Sequence, residues 1–392
     1  MPLSTSNSEV TLRDRDRYAR QTAADRPGIA QPVPARPVPE RPWCAILLGA
    51  VSLFVLLVAG WESYWRTYGA TPGMRNTYGL WAIQRRRIDE GDGNATVLLG
   101  GSRAYYDIQL TTWEHLAGER PIQLSFEATA PLGYLEDLAA DPKFTGRALV
   151  VVEPSLFFSG EEFLGGGVQY YRGETLTQLI GQQLSMRLIE PYFAFDDPDY
   201  ALQTVLARQP WPARPGKKWL QPRKMAIHEP DRNSYLWAKV EADPEYLELV
   251  RGLLLEALEP SSDDSSPAQA RDIEDKQIRR AVKVVAQLRE RGVQVLFVRA
   301  PSSGAYLAYE NSKYPRARTW DVLLAASGAP GINFEDYPEL QGYYLPDSSH
   351  MTRSEAERFT ASLYRIIARD FPDPRARAAA SDAQHTPHET RD

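Results

Sequence analysis

The strongest constraint on this chain is an uncharged run from Trp43 to Trp61, WCAILLGAVSLFVLLVAGW. At about 1.5 Å per helical residue, the run is long enough to cross a hydrocarbon core of roughly 30 Å. Trp43 at one end and Trp61, Tyr64 and Trp65 at the other fit the aromatic belts of membrane interfaces. A cleaved signal peptide is the alternative, but the leader is long and lacks an Ala-x-Ala site before a polar start. We therefore predict a transmembrane helix over 43–61.

Basic residues near this run indicate its orientation. Arg26, Arg36 and Arg41 precede it, whereas Glu62 and Arg66 are the first charged residues after it. Arginines further downstream reduce this asymmetry, but no second apolar span follows to return the chain across the membrane. We predict a single-pass protein of the cell inner membrane, with a cytoplasmic N terminus and a periplasmic or extracellular main domain.

Charge and cysteine content narrow the function. The 45 basic and 51 acidic residues give a net charge of −6, which leaves no broad basic surface for nucleic acid. The single cysteine, Cys44, excludes an intramolecular disulfide and a cysteine-based zinc cluster. We expect no nucleic-acid partner, no metal and no cofactor.

Composition divides the rest of the chain. Residues 1–42 are rich in charge and proline and are predicted to be a disordered cytoplasmic tail. Residues 62–95 form a membrane-proximal connector, 96–370 an α/β domain, and 371–392 a second disordered tail. A segment at about 155–270 interrupts the strand and helix alternation, and we expect it to be a largely helical insertion that shapes access to the site.

Short apolar runs alternate with amphipathic helical patterns across residues 96–370. One helix is predicted over about 271–291, and a last helix begins at Thr352, with Glu355 completing a capping box. This alternation predicts a three-layer α/β sandwich with a mostly parallel five-stranded sheet. The predicted strands are Thr96–Gly100, Ile122–Phe126, Ala148–Glu153, Val293–Arg299 and Gly331–Phe334.

The first predicted strand leads directly into Gly100-Gly101-Ser102. This places Ser102 at the carboxyl edge of the sheet, where ligands bind in open α/β folds. Adjacent glycines let backbone amides approach a reacting oxygen. The turn is not a phosphate-binding loop because it lacks the Gly-Lys-Ser/Thr ending. Ser102 is therefore a candidate nucleophile, although such turns also occur without any catalytic role.

A second motif, Asp347-Ser-Ser-His350, precedes the last helix. At this spacing a carboxylate can hold the tautomer of an imidazole, and the imidazole can then deprotonate a serine. The alternative is that Asp347 caps the helix and His350 is a surface residue.

Together these motifs resemble the SGNH/GDSL-type hydrolase superfamily, which places a serine after the first strand and Asp-x-x-His before the last helix. The resemblance covers about residues 96–369. It is greatest to membrane-anchored bacterial members linked to O-acetylation of exported polysaccharides. It implies that Ser102 is the nucleophile, His350 the general base and Asp347 its orienting acid.

The sequence departs from the family pattern at the oxyanion hole. Family enzymes use the serine amide, a second-block glycine amide and a third-block asparagine. Here Ala130 or Gly133 would have to supply the second amide, and Glu153 stands in place of the asparagine. An ionised glutamate cannot donate a hydrogen bond and opposes an oxyanion. Arg103 is a substitute donor or, alternatively, a surface charge.

We therefore expect an extracytoplasmic serine esterase or O-acyltransferase that acts on ester groups, in particular acetyl groups, of cell-surface carbohydrate. Its partners would be the lipid bilayer, the carbohydrate or acyl ester, and other export or acetylation membrane proteins. The alternative, favoured by Glu153, is a non-catalytic scaffold that binds polysaccharide or an export-complex partner. A lipid esterase is a third possibility, favoured only by closeness to the bilayer.

Overall fold

The computed structural model describes residues 41–159, 166–207, 223–256 and 266–373. The predicted tails at 1–42 and 371–392 lie almost wholly outside these ranges. The chain divides into two compact units, Met1–Val58 and Ala59–Asp392. The second unit holds the α/β domain and the candidate site.

Helices make up most of the described chain. In order, they are α1 (Trp43–Tyr68), α2 (Tyr78–Arg87), α3 (Ser102–Asp107), α4 (Leu110–Ala117), α5 (Leu132–Ala140), α6 (Pro154–Phe157), α7 (Gly166–Gly173), α8 (Leu176–Leu188), α9 (Leu202–Ala207), α10 (Ala238–Ala242), α11 (Pro244–Glu256), α12 (Pro267–Glu290), α13 (Gly304–Lys313), α14 (Trp320–Ser327) and α15 (Arg353–Asp370). Shorter π and 3₁₀ turns cover Ile88–Asp92, Ala194–Asp196, Phe334–Asp336 and Pro338–Leu340.

Helix α1 is long and apolar enough to cross a membrane. It extends past the predicted end at Trp61 to Tyr68, because the residues after Trp61 include no proline or glycine until Gly69. Gly69 has a φ of 107°, a conformation that side-chain-bearing residues rarely adopt, and the helix ends there. Because α2 and the π turn at Ile88–Asp92 also lie within it, the predicted connector at 62–95 is mainly helical.

The predicted parallel five-stranded sheet is present. Its strands are β1 (Thr96–Leu99), β2 (Ile122–Gln123), β3 (Arg147–Val151), β6 (Gln294–Arg299) and β7 (Gly331–Asn333), in the order β2-β1-β3-β6-β7. All neighbouring pairs are parallel. Strand β2 is shorter than predicted because the Ser125 amide turns to the Gln123 side chain, although Leu124 and Phe126 still donate to the carbonyls at the end of β1.

Side chains from the central strands alternate between two apolar clusters, as the two-residue period of a strand requires. Val97 and Phe297 belong to one cluster, with residues of α2, α5, α12 and α14. Leu98 and Leu149 belong to the other, with residues of α3, α4 and α15. The sheet is therefore buried on both faces, and its carboxyl edge remains the accessible place for a site.

The predicted insertion contains α6 to α11 and also an antiparallel hairpin of β4 (Ala226–His228) and β5 (Ser234–Leu236). This hairpin was not predicted from the sequence, because its strands are three residues long and show little alternation. Thr352 caps α15 as predicted by accepting from the Glu355 amide. The expected return bond from Glu355 is not present, since its carboxylate accepts from Arg358 instead.

Candidate active site

Strand β1 and helix α3 meet at Gly100 and Gly101, and Ser102 is the first residue of α3. A Cβ at Gly100 would lie 2.5 Å from the Cβ of Ala104, and one at Gly101 would lie 2.5 Å from Glu153 Oε1. Any larger residue at either position would push the helix away from the sheet. The two glycines therefore allow the close approach that holds Ser102 at the sheet edge, where it remains partly exposed.

Ser102 and His350, which are distant in sequence, are in direct contact. The Oγ of Ser102 lies 2.7 Å from Nε2 of His350, and Nδ1 of His350 lies 2.7 Å from Oδ2 of Asp347. Both distances are those of strong hydrogen bonds. The structure thus brings together the three residues that the sequence analysis selected, in the order serine, histidine, aspartate.

The turn that contains Asp347 and His350 has an unusual backbone. Ser348 has a φ of 71°, in the left-handed region. The turn is held by Oδ1 of Asp347, which accepts from the amides of Ser349 (2.9 Å) and His350 (2.7 Å), and by the Ser303 amide, which donates to the Ser348 carbonyl. These bonds leave Oδ2 of Asp347 for the imidazole.

The environment of this pair sets its protonation. Burial opposes ionisation of Asp347, but His350 and the two amides outweigh it and lower the pKa of Asp347. Burial likewise opposes a charge on His350, but Asp347 outweighs it and raises the pKa of His350. An ionised Asp347 can only accept, so Nδ1 of a neutral His350 carries the proton and Nε2 accepts from the Ser102 hydroxyl. This is the state in which the imidazole can act as a base.

Arg103 is not a surface charge. Its side chain is fully buried and pairs with Glu310 of α13, at 3.0 Å from Nη2 to Oε1 and 3.3 Å from Nη1 to Oε2. Its Nε donates to Oγ of Ser349 at 3.2 Å, and its guanidinium lies 5.0 Å from the centre of the Tyr306 ring. Through these bonds the guanidinium joins α3, α13 and the Asp347–His350 turn, and the role of Arg103 as a substitute oxyanion donor stays a prediction.

Glu153 is buried directly beneath the start of α3. Its Oε1 accepts from the Arg103 amide at 3.1 Å and lies against Gly101. Burial raises the pKa of Glu153, and the nearby Arg103 reverses only part of that effect. A protonated glutamate can donate a hydrogen bond, whereas an ionised one cannot. The objection to Glu153 as an oxyanion donor therefore holds only for its ionised form.

The remaining oxyanion candidates lie in and after the second block. Ala130 is in the loop before α5, and Gly133 is in the first turn of that helix. Within the described residues, neither is hydrogen-bonded to the Ser102–His350–Asp347 group. Their role as amide donors stays a prediction.

Two residues beside His350 were missed in the sequence analysis. Tyr106 places its ring 5.0 Å from the imidazole and donates its hydroxyl to Glu127. Asp107 accepts the Met351 amide at 2.9 Å through Oδ1 and is fully buried. Both follow Ser102 within two turns of α3. The signal that could have found them is therefore the start of a helix at Ser102.

A cleft of about 230 Å³ opens beside Tyr106. Its lining is mainly polar: it carries charges of both signs, including Glu127, Asp199 and Arg223, and the amide of Asn76. His228 closes one side, where its ring stacks on Tyr105 and its Nδ1 lies 2.9 Å from Oγ of Ser234. Burial lowers the pKa of His228 well below 6.5, so this imidazole is neutral and supplies hydrogen-bonding groups rather than charge.

Comparison with protein-family models gives no match, and comparison with curated proteins gives none either. The chemistry of the site therefore has to be argued from its own geometry.

Proposed function

We propose that this protein is a membrane-anchored serine esterase or O-acyltransferase of the SGNH type. The observation that carries the proposal is the continuous hydrogen-bonded series from Ser102 through His350 to Asp347 at the carboxyl edge of a parallel sheet. Helical residues pack on both faces of that sheet, which supports a three-layer arrangement. The order of the motifs along the chain, serine after the first strand and Asp-x-x-His before the last helix, supports the same family.

The chemistry follows from the positions of the protons. His350 Nε2 takes the Ser102 proton while Oγ bonds to the carbonyl carbon of an acyl ester. The ester C–O bond then breaks, and the departing alkoxide receives the proton from the imidazolium. Water or an acceptor hydroxyl next attacks the acyl-Ser102 group and gives its proton to Nε2. Ser102 leaves as the alcohol after recovering that proton, so hydrolysis and transfer differ only in the acceptor.

Charge on the tetrahedral intermediate needs a donor close to Ser102. The backbone amides in the first turn of α3 have no acceptor within the helix, and they lie at the positive end of the helix dipole. Glu153 already accepts one of them, from Arg103. We assign Glu153 its protonated form during catalysis, because burial raises its pKa and because the free carboxyl hydrogen can then face the oxyanion.

The polar cleft beside Tyr106 supports a carbohydrate as the ester-bearing molecule. Carboxylate, guanidinium and amide groups around a small cleft suit a ligand with many hydroxyls. The Tyr106 ring connects this cleft to His350. An anchor formed by α1, with the α/β domain outside the cytoplasm, would keep the enzyme where polysaccharides are exported.

Activity of the full-length protein in detergent micelles toward a small acetyl ester such as p-nitrophenyl acetate tests the proposal. Ser102→Ala and His350→Ala should each reduce the rate to that of the uncatalysed reaction. The double variant should be no worse, because members of one catalytic unit are not additive. Ser312→Ala, at an exposed serine of α13, is the matched control and should keep wild-type activity. Equal activity of Ser102→Ala and wild type would contradict the proposal.

A specific observation favours a second function. The Glu153 carboxyl occupies the Arg103 amide and lies against Gly101, where an enzyme of this type would stabilise an oxyanion. If Glu153 is ionised, the scaffold would bind polysaccharide or an export partner without reacting. A folded wild type that binds polysaccharide yet hydrolyses no acetyl ester would support this alternative.

A further inference from the structure

Helix α8 carries its apolar residues on the outside. Leu176, Ile180, Leu184 and Leu188 recur every fourth residue, so they form one stripe along the helix. These side chains are 77%, 56%, 51% and 61% exposed, respectively. Only Arg187 is charged within α8. A helix on a water-facing surface normally shows the opposite pattern.

Two polar residues of α8 face the protein. Oε1 of Gln182 accepts from the Thr77 hydroxyl at 2.9 Å, and Oγ of Ser185 accepts from the Arg75 guanidinium at 3.0 Å. Ser185 is buried. The apolar stripe of α8 therefore faces outward while Gln182 and Ser185 hydrogen-bond to the rest of the protein. Such a stripe needs an apolar partner.

The exposed apolar surface continues beyond α8. Ile189, Tyr192 and Phe193 follow it in the chain and are 41%, 60% and 38% exposed. We call the stripe of four residues together with these three the α8 surface. It spans roughly 20 Å along the helix alone, at about 1.5 Å per residue.

The end of the α8 surface is attached to the residues at which the apolar part of α1 ends. The guanidinium of Arg66 donates to the Tyr192 carbonyl at 2.8 Å. The two oxygens of Glu62 accept from the amides of Ala194 and Phe195, each at 3.0 Å. Trp61 is the last residue of the apolar run, so these bonds tie the α8 surface to the boundary where the chain would leave the membrane.

Aromatic packing strengthens the same junction. The Trp61 indole donates to the Tyr200 carbonyl at 3.0 Å, and the Trp65 ring stacks on Tyr200 at 4.7 Å between centroids. Tryptophan and tyrosine are the residues that favour the headgroup region of a bilayer. The junction therefore combines interfacial aromatics, a membrane-spanning candidate and an uncovered apolar helix.

We propose that the α8 surface docks on the bilayer that α1 crosses, lying in the plane of the interface. The occupant is lipid rather than a second protein, because the surface continues directly from the point at which the chain would emerge from the membrane. Interfacial helices bury their apolar face about 5–10 Å into the headgroup and acyl boundary. Docking would hold the α/β domain in one orientation beside the membrane. This inference depends on the anchor and not on the proposed catalysis.

Site-specific fluorescence on the full-length protein in phosphatidylcholine nanodiscs tests this. In a Cys44→Ser background, Ile180→Cys and Leu184→Cys each receive a bimane probe. Val322→Cys on α14 is the matched control, since Val322 is 41% exposed on a helix that packs against α12. Bimane emission is measured with aqueous iodide and, separately, with a phosphatidylcholine that carries a nitroxide near the top of its acyl chain.

We expect the probes at 180 and 184 to be quenched by the lipid nitroxide and to be several-fold less sensitive to iodide than the probe at 322. Equal iodide sensitivity at all three positions would overturn the proposal, because the α8 surface would then face water. Protection from iodide without quenching by lipid would overturn it as well, since a second copy or another protein would then be the occupant.

Discussion

Asp107 is a buried carboxylate with one hydrogen bond to the protein. Its Oδ1 accepts the Met351 amide at 2.9 Å, and its Oδ2 has no partner among the described residues. Burial raises the pKa of Asp107 from 3.8 to about 7, against the opposing effects of His350 and the Met351 amide. The folded protein therefore holds a proton on Asp107 at pH values where the unfolded chain has lost it.

The pKa difference has a definite sign and size. Because the pKa is raised on folding, the stability it contributes is complete below about pH 4 and is lost as the pH rises through about 7. At about 1.36 kcal/mol per pKa unit, the change from 3.8 to about 7 amounts to about 4 kcal/mol. Asp107→Asn keeps an acceptor for Met351 and removes the charge. We expect it to match wild type near pH 4 and to be more stable by up to about 4 kcal/mol near pH 8.

Thermal unfolding of the full-length protein in micelles, followed by tryptophan fluorescence, measures this difference. For a domain of roughly 300 residues, about 4 kcal/mol corresponds to a Tm increase of roughly 6 °C near pH 8. Asp107→Ala is the control: it also removes the charge but leaves the Met351 amide unpaired, so it should be about 1–3 kcal/mol less stable than Asp107→Asn across the whole pH range. If Asp107→Asn and wild type unfold at the same temperature at every pH, Asp107 is ionised in the fold and the reasoning is wrong.

Three further predictions concern the site and the membrane. Asp347→Asn should lower kcat/KM by orders of magnitude. It should also move the acidic limb of the pH profile of kcat/KM to lower pH, because Asp347 raises the pKa of His350 above 6.5. An acidic limb that stays at the wild-type pH would contradict the Asp347–His350 pairing. Glu153→Gln, which keeps both an acceptor and a donor at all pH values, should exceed wild type at alkaline pH by up to about 10²- to 10³-fold, and Glu153→Asn tests the family residue; lower activity throughout would remove Glu153 from the oxyanion site. A reporter fused after Asp392 should be active outside the cytoplasm and one fused before Trp43 should not, and the reverse would overturn the orientation.

The sequence predicted the sheet because its strands are buried on both faces. Runs such as those around Val97 and Phe297 are continuously apolar, and burial within a parallel sheet requires such runs. Parallel strands end at one edge, so placing Ser102 after the first strand and His350 before the last helix predicts that they lie close together. The backbone conformation of Ser348 and the distances that join Ser102, His350 and Asp347 required coordinates.

The features of the fold and site that were not predicted depend on contacts that leave no local pattern in the sequence. The buried pair between Arg103 and Glu310 joins residues 207 positions apart, and neither sequence neighbourhood marks it. Charged residues are almost never fully buried unless paired, which made a surface position the reasonable expectation for Arg103. The hairpin at β4 and β5 was missed because its strands are too short for a two-residue period to be recognised. The raised pKa of Glu153 follows from its burial, which the sequence does not reveal.

Covalent labelling tests the central claim most directly, because it requires the Ser102 hydroxyl to be activated by His350 in the folded protein. The full-length protein in micelles is treated with a fluorophosphonate probe, and the modified residue is identified by mass spectrometry. The account predicts one modified serine, Ser102, with no labelling of Ser102→Ala and little of His350→Ala. A folded wild type that takes up no probe, or a Ser102→Ala variant labelled as strongly as wild type, would contradict it.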